Sequence, residues 1–271
     1  MVVINEQACI GCAACVNDCL PKNLSVKNGK AQIVSETCMN CGHCVAICPL
    51  NAVSLSDHDM GDVMELSEQT ISPEHFLTFV KSRRSIRRFQ DRSVDPALIS
   101  HMLEAARFTP SGGNRQDLSY VVVQKEMELF RSLVINHLAE MAAPMLAAED
   151  TTPVMRNYAE RWMAIAERYR ENPQDNDLVF FRAPAIVLVV GHNAISVGAG
   201  MASSNIELMA HASGLGALYS GFITYGAAAP AVKELLDIPA RQNVLMAILV
   251  GHPDVNYKRS VPRKPVKVLW R

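Results

Sequence analysis

Eight cysteines fall into two sets of identical internal spacing, Cys9, Cys12, Cys15 and Cys19, then Cys38, Cys41, Cys44 and Cys48. Each set reads C-x2-C-x2-C-x3-C, and the second follows the first by 29 residues, Cys9 to Cys38. The segment is therefore an internal duplication. In a short secreted chain, eight cysteines would imply disulfides. Here they all lie before residue 49 of a 271-residue chain whose N-terminus shows no basic segment followed by an apolar one, so metal ligation is the better reading.

The spacing narrows the chemistry further. Zinc ribbons use two separated C-x2-C pairs, whereas three cysteines in close series can hold three irons of a cubane from one tight loop. The fourth cysteine, displaced by one extra residue, is then directed to the other cluster. Two 4Fe-4S clusters with crossed ligation are expected, one on Cys9, Cys12, Cys15 and Cys48, the other on Cys38, Cys41, Cys44 and Cys19.

With its Cys48-Pro49 pair and the following Asn51-Ala52-Val53, this segment resembles bacterial-type ferredoxins over about residues 1–56. Lys27-Asn28-Gly29-Lys30 between the repeats reads as a hairpin turn. One departure is that the first repeat ends Cys19-Leu20-Pro21, with proline one position late. His43, inside the second loop, is read as an exposed or packed residue and not as a ligand.

The remaining length is enough for a second, larger domain with a buried core, given 49% apolar residues. A charge step marks the boundary: residues 31–80 hold seven acidic residues and no Lys or Arg, after which Lys81 to Arg92 brings six basic ones. The expected organisation is an iron–sulfur domain over 1–56, a linker over 57–71 and a second domain over 72–271. Basic and acidic residues nearly balance, 26 against 27, which gives no field for nucleic acid or an anionic membrane. No run approaches the length of a membrane span, and a cytoplasmic protein is expected.

The second region alternates helix and strand signals, an α+β pattern. A short apolar-periodic helix, Glu74 to Ser82, runs into Arg83-Arg84-Ser85-Ile86-Arg87-Arg88-Phe89. Asp95 and Pro96 cap and start the next helix, which ends before Pro110. Turn residues Thr109 to Gln116 lead to a strand at Tyr120–Val123, and a buried strand at Ala185–Val190 precedes a helix from about Ala194 to Ser213. A last helix, Ala228 to Leu236, precedes the strand Val244 to Val250. Gly214-Leu215-Gly216 follows a helix rather than a strand, so a nicotinamide-binding Rossmann fingerprint is rejected there. Alone, the arginine cluster would be a solvated surface.

In company it is more. Arg83-Arg84-Ser85-Ile86-Arg87, Pro110-Ser111-Gly112-Gly113-Asn114-Arg115-Gln116, Ser220-Gly221-Phe222 and Pro262-Arg263-Lys264 together resemble the flavin motifs of the nitroreductase family, over about residues 75–271. The resemblance implies an FMN-binding α+β sandwich, a homodimer with FMN at each of two subunit interfaces. It implies that Arg83, Ser85 and Arg263 hold the FMN phosphate with help from Arg84 and Lys264, chemistry that suits guanidinium forks and a dianion. Arg87 would face the flavin N1 and O2 edge, and the Gly221 amide would donate to N5 beside Ser220; these two residues carry the implied catalytic roles. Pro110, Ser111, Gly112 and Asn114 would form the loop reaching the flavin ring.

A chain with clusters and a flavin is expected to convert between one- and two-electron chemistry. The leading expectation is an oxidoreductase that reduces a nitroaromatic, quinone or similar conjugated acceptor with electrons from ferredoxin, flavodoxin or NAD(P)H. Alternatives are an electron-transfer or redox-sensing module acting on a protein partner, and an NAD(P)H-driven flavoprotein with the clusters as exit. Residues 142–181 match no pattern; within them Met155, Tyr158, Trp162, Ile165 and Tyr169 recur at helical spacing, for packing or for capping a planar substrate.

Overall fold

The computed structural model describes residues 1–66 and 71–271; the part of the expected linker at 67–70 lies outside the described residues. The chain forms two compact units, one of residues 1–71 with Pro110–Gln116, the other of residues 72–109 with 117–271.

In the first unit, β1 (Val2–Ile4) pairs antiparallel with β4 (Val53–Leu55), tying together the ends of the cysteine segment. β2 (Leu24–Lys27) and β3 (Lys30–Ile33) form the expected hairpin, with Asn28 and Gly29 both at positive φ as a two-residue turn requires. Two short helices, α1 (Ala14–Asp18) and α2 (His43–Ala46), occupy equivalent places in the two repeats. Each follows a left-handed residue, Ala13 or Gly42, and each carries the third cysteine of its set, Cys15 or Cys44. Val2, Leu24, Ala31, Ala52, Val53 and Leu55 make a small core around the cysteines. Gly11 is required, because a Cβ there would overlap the Gly29 carbonyl.

The second unit is built on a four-stranded antiparallel sheet in the order β5 (Ser119–Val123), β6 (Ala185–Gly191), β8 (Asn243–Gly251), β7 (Gly216–Tyr219). Every residue of β6 is buried, which explains its uninterrupted apolar run. Ile186, Leu188 and Val190 face a core shared with α5 (Met127–Ala147) and α6 (Pro153–Glu171). Ala185, Val187 and Val189 face the other core, shared with α4 (Pro96–Arg107) and α7 (Ser196–Ala212). Burial of each large β6 side chain is worth on the order of 2 kcal/mol. Around this sandwich α3 spans Pro73–Ser82, capped by the Ser72 hydroxyl, while α8 (Gly221–Gly226) and α9 (Pro230–Leu235) precede β8. Among the described residues no helix is long and apolar enough to cross a membrane.

Several boundaries differ from expectation for local reasons. Asn193–Ile195 forms a 3-10 turn, so α7 starts at Ser196 instead of Ala194. Pro230 takes the first position of α9, which excludes Ala228 from that helix. Gly214 ends α7 at φ +73°, with the Leu215 amide returning to the Ala210 carbonyl at 2.8 Å, and Gly216 opens β7. The loop Pro110–Gln116, inside the stretch expected to be one domain, is gathered with the first unit.

Candidate redox sites

Two cavities in the first unit divide the cysteines. One is lined by Cys9, Cys12, Cys15 and Cys48. The other is lined by Cys19, Cys38, Cys41 and Cys44. Each thus takes three cysteines from one repeat and the fourth from the other, the crossed grouping read from the spacing. Backbone amides point at the sulfurs: Ala52 N–H to Cys48 Sγ at 3.2 Å and Asn23 N–H to Cys19 Sγ at 3.3 Å are equivalent in the two repeats. Ala31 N–H donates to Cys9 Sγ at 3.3 Å, and such bonds draw the Cys9 thiol below its ordinary pKa. Burial has the opposite effect at Cys44, pushed up to about 11. His43 lines the second of these cavities, and its Nδ1 lies 2.9 Å from an Asp18 carboxylate oxygen.

In the second unit, the segment after α3 runs beside β7. Ser85 bridges Ala217 in parallel, and the Ile86 amide donates to the Ala217 carbonyl at 3.0 Å. Gly216 permits this approach, since a Cβ there would collide with Ile86. The bridge sets the arginine segment beside β7, which runs on through Tyr219 into Ser220 and Gly221 at the start of α8. The Ser220 hydroxyl caps α8 through the Ile223 amide at 3.3 Å. Two segments more than a hundred residues apart in sequence thereby meet.

The charges there are unevenly satisfied. Arg83 Nη1 donates to Glu207 Oε1 at 2.5 Å, and Glu207 is only 6% exposed. Arg84 Nη1 donates to the Lys81 carbonyl at 2.9 Å and to the Arg83 carbonyl, but its Nε and Nη2 are buried without a partner. Burial raises the Glu207 carboxyl above its ordinary range against the pull of Arg83. Burial also holds the His211 imidazole below its usual pKa, helped by the Arg83 and Arg84 charges. Two buried guanidinium nitrogens without acceptors are what an anion-binding site looks like before the anion is considered.

The other predicted residues are placed less centrally. Ser111, Gly112, Asn114 and their neighbours belong to the first unit, where Asn114 Nδ2 donates to the carbonyls of Asn40 at 2.8 Å and Met39 at 3.4 Å, between Cys38 and Cys41. Ser111 Oγ accepts from the Gln116 amide at 3.0 Å, and Asn114 and Gln116 adopt left-handed φ, so the loop is shaped by its own turn chemistry. Pro110 opens it. Arg263 and Lys264 stand on an exposed C-terminal segment without helix or strand. Glu207, Tyr219 and His211 had not been singled out from the sequence. Glu207 was detectable as the one acid in the apolar run of α7, a position that burial makes costly without a partner.

A second feature is aromatic. Trp162 of α6 lies 5.8 Å from Phe222 and 5.9 Å from Tyr225 between ring centroids, and Tyr158 lies 6.0 Å from Phe222. Trp162 is 4% exposed, and its Nε1 has no hydrogen-bond partner.

Residues 80–252 match the model of the nitroreductase family. The chain belongs to the nitroreductase family. Residues 1–49 match a 4Fe-4S dicluster domain, so this member carries an N-terminal ferredoxin domain. A protein of Methanothermobacter thermautotrophicus with the provisional name NADH dehydrogenase/NAD(P)H nitroreductase is 25% identical over 188 residues, 69% of this chain and 81% of that protein. A ferredoxin of Pyrobaculum islandicum is 43% identical over 54 residues, 20% of this chain and half of that protein. A Bacteroides fragilis nitroreductase crystallised with bound FMN shares the fold at a TM-score of 0.56 and 17% identity, covering 71% of this chain and 97% of that one.

Proposed function

We propose that this nitroreductase-family oxidoreductase passes electrons between two 4Fe-4S clusters and FMN and delivers them to a nitroaromatic, quinone or similar conjugated acceptor. The single observation that carries the reading is the pairing, in one chain, of two four-cysteine cavities with an arginine segment whose buried Arg84 donors have no protein acceptor. When bound, clusters exchange one electron at a time and FMN holds two, so the combination links one-electron carriers to two-electron chemistry.

The residues divide the work. Cys9, Cys12, Cys15 and Cys48 would hold one cluster and Cys19, Cys38, Cys41 and Cys44 the other, with backbone amides stabilising thiolate charge. Arg83, Arg84 and Ser85 fit the FMN phosphate, with Arg263 and Lys264 as further cations. Arg87, exposed on the same segment, would supply a fixed positive charge for the negative charge that builds up on reduction. Ser220 and Gly221 would orient the flavin at the turn into α8. A homodimer is supported by α7, where Val197 and Met201 are exposed and Gly198 and Gly200 have open space around them.

A second reading, direct reduction by NADH or NADPH with the clusters as exit, is favoured by the names of the archaeal relatives. Anaerobic absorbance titration of the purified protein separates the two. Bleaching of cluster and flavin by reduced ferredoxin or flavodoxin alone supports clusters as the entry port; rapid flavin bleaching by NADH or NADPH reverses the direction. Absence of FMN from protein expressed with intact clusters would sink the flavin assignment. Turnover of a small acceptor at catalytic protein levels distinguishes an enzyme from a module that serves a protein partner.

A further inference from the structure

We propose that Glu207 is a positioning residue for the flavin phosphate, acting through Arg83; this rests on the FMN reading above. The carboxylate sits on α7, is bound by Arg83 Nη1 at 2.5 Å, and has the Tyr219 side chain as a further polar neighbour. It is a poor candidate for a purely stabilising pair. Burying both partners costs desolvation that an apolar pair of similar volume would avoid, so a buried ion pair is by itself weak evidence for stability.

Its surroundings give it a different use. Arg83 and Arg84 are consecutive, yet only Arg83 has a carboxylate, while Arg84 is held by two carbonyls and keeps Nε and Nη2 unsatisfied. The remaining titratable neighbour, His211, is fixed by the Ser82 hydroxyl at 2.7 Å and by the ring of Phe79 at 4.9 Å, so no other acid competes for the arginines from α3 or α7. Glu207 thus consumes one donor of Arg83 and fixes the plane of the fork. The donors left over need no further ordering when a dianion arrives, which is where preorganisation gains affinity. Tyr219, the last residue of β7, links this device to Ser220 and Gly221.

The test compares FMN with riboflavin, which lacks the phosphate, by flavin fluorescence titration of the full-length protein after flavin removal. Glu207→Ala is expected to weaken FMN by about tenfold, the scale of a charge-assisted hydrogen bond, and to leave riboflavin affinity unchanged. Glu207→Gln, whose amide oxygen still accepts from Arg83, is expected to restore FMN binding to within about threefold of the parent. Equal loss of both flavins, or an unchanged preference for FMN in Glu207→Ala, overturns the inference. If Glu207→Ala does not fold, Tyr219→Phe decides: it is expected to lower FMN affinity and spare riboflavin, and no selective loss overturns the proposal. A parent chain that binds both flavins equally would instead defeat the phosphate-site reading, and this inference with it.

Discussion

The two units encode their sites in opposite ways. In the first, all eight cysteines come from the contiguous stretch Cys9–Cys48, and the short helices α1 and α2 repeat the same loop geometry. In the second, the arginine site is assembled from the segment Arg83–Arg87, Glu207 on α7 and β7, brought together by the Ser85–Ala217 bridge and the Arg83–Glu207 ion pair. A local site is specified by spacing, whereas a distributed one is specified by strand register and by what each charge finds when the sheet is complete.

The largest effect that would break this contrast concerns the crossed fourth cysteine. Cys48→Ser is expected to abolish the cluster on Cys9, Cys12 and Cys15 and leave the other, roughly halving iron content. Low-temperature electron paramagnetic resonance of the reduced variant identifies which signal disappears. Loss of the cluster on Cys38, Cys41 and Cys44 would mean that each repeat closes on itself. Next in size, Arg83→Ala is expected to empty the flavin site while iron content stays at the parental level. Simultaneous loss of iron would show that the two sites are not separately encoded.

This contrast also explains what was legible in the sequence. The cysteine grouping could be read because a C-x2-C-x2-C loop leaves little freedom for where its sulfurs go. The strands β6 and β8 were visible because their apolar runs are buried on both faces. β7 was not, since its four residues, Gly216 to Tyr219, follow a helix cap and carry a second glycine. In the sequence that glycine belongs only to a rejected dinucleotide fingerprint, yet it is there for the Ile86 side chain. Without β7, only the family resemblance links Arg87 to Ser220, and nothing in the sequence pairs Glu207 with Arg83. α5 was missed for a related reason: it is apolar nearly all round, with Phe130, Val134, Ile135 and Leu138 all buried, so it shows little amphipathic periodicity. Asn114 has local partners that its motif does not reveal, the Met39 and Asn40 carbonyls that accept from its side-chain amide.

Gly216 offers a sharper test of register. Gly216→Val places side-chain atoms where Ile86 already packs, an overpacking expected to destabilise by about 1–3 kcal/mol. Thermal unfolding followed by flavin release should shift to lower temperature, while the iron–sulfur absorbance of the first unit stays intact at room temperature. If flavin affinity also falls in the folded variant, the β7 register sets the site as well as the stability. Unchanged melting would mean that the Ser85–Ala217 pairing is not needed to hold the segment.

The smallest expected effect separates packing from substrate contact in α6. Trp162 contacts Phe222 and Tyr225 through its ring, but its buried Nε1 has no acceptor. An unsatisfied buried donor costs about 1–3 kcal/mol. Trp162→Phe removes that cost and gives up contact area of comparable value, about 1–3 kcal/mol for a smaller ring left in the same space. The two nearly cancel, so melting is expected to move by less than about 1 kcal/mol equivalent, and kcat/KM for a nitroaromatic acceptor by less than about twofold. A several-fold fall in kcat/KM at unchanged melting would make the indole N–H a donor to the acceptor's oxygen and move residues 153–171 from the packing of the sandwich to the recognition of its substrate.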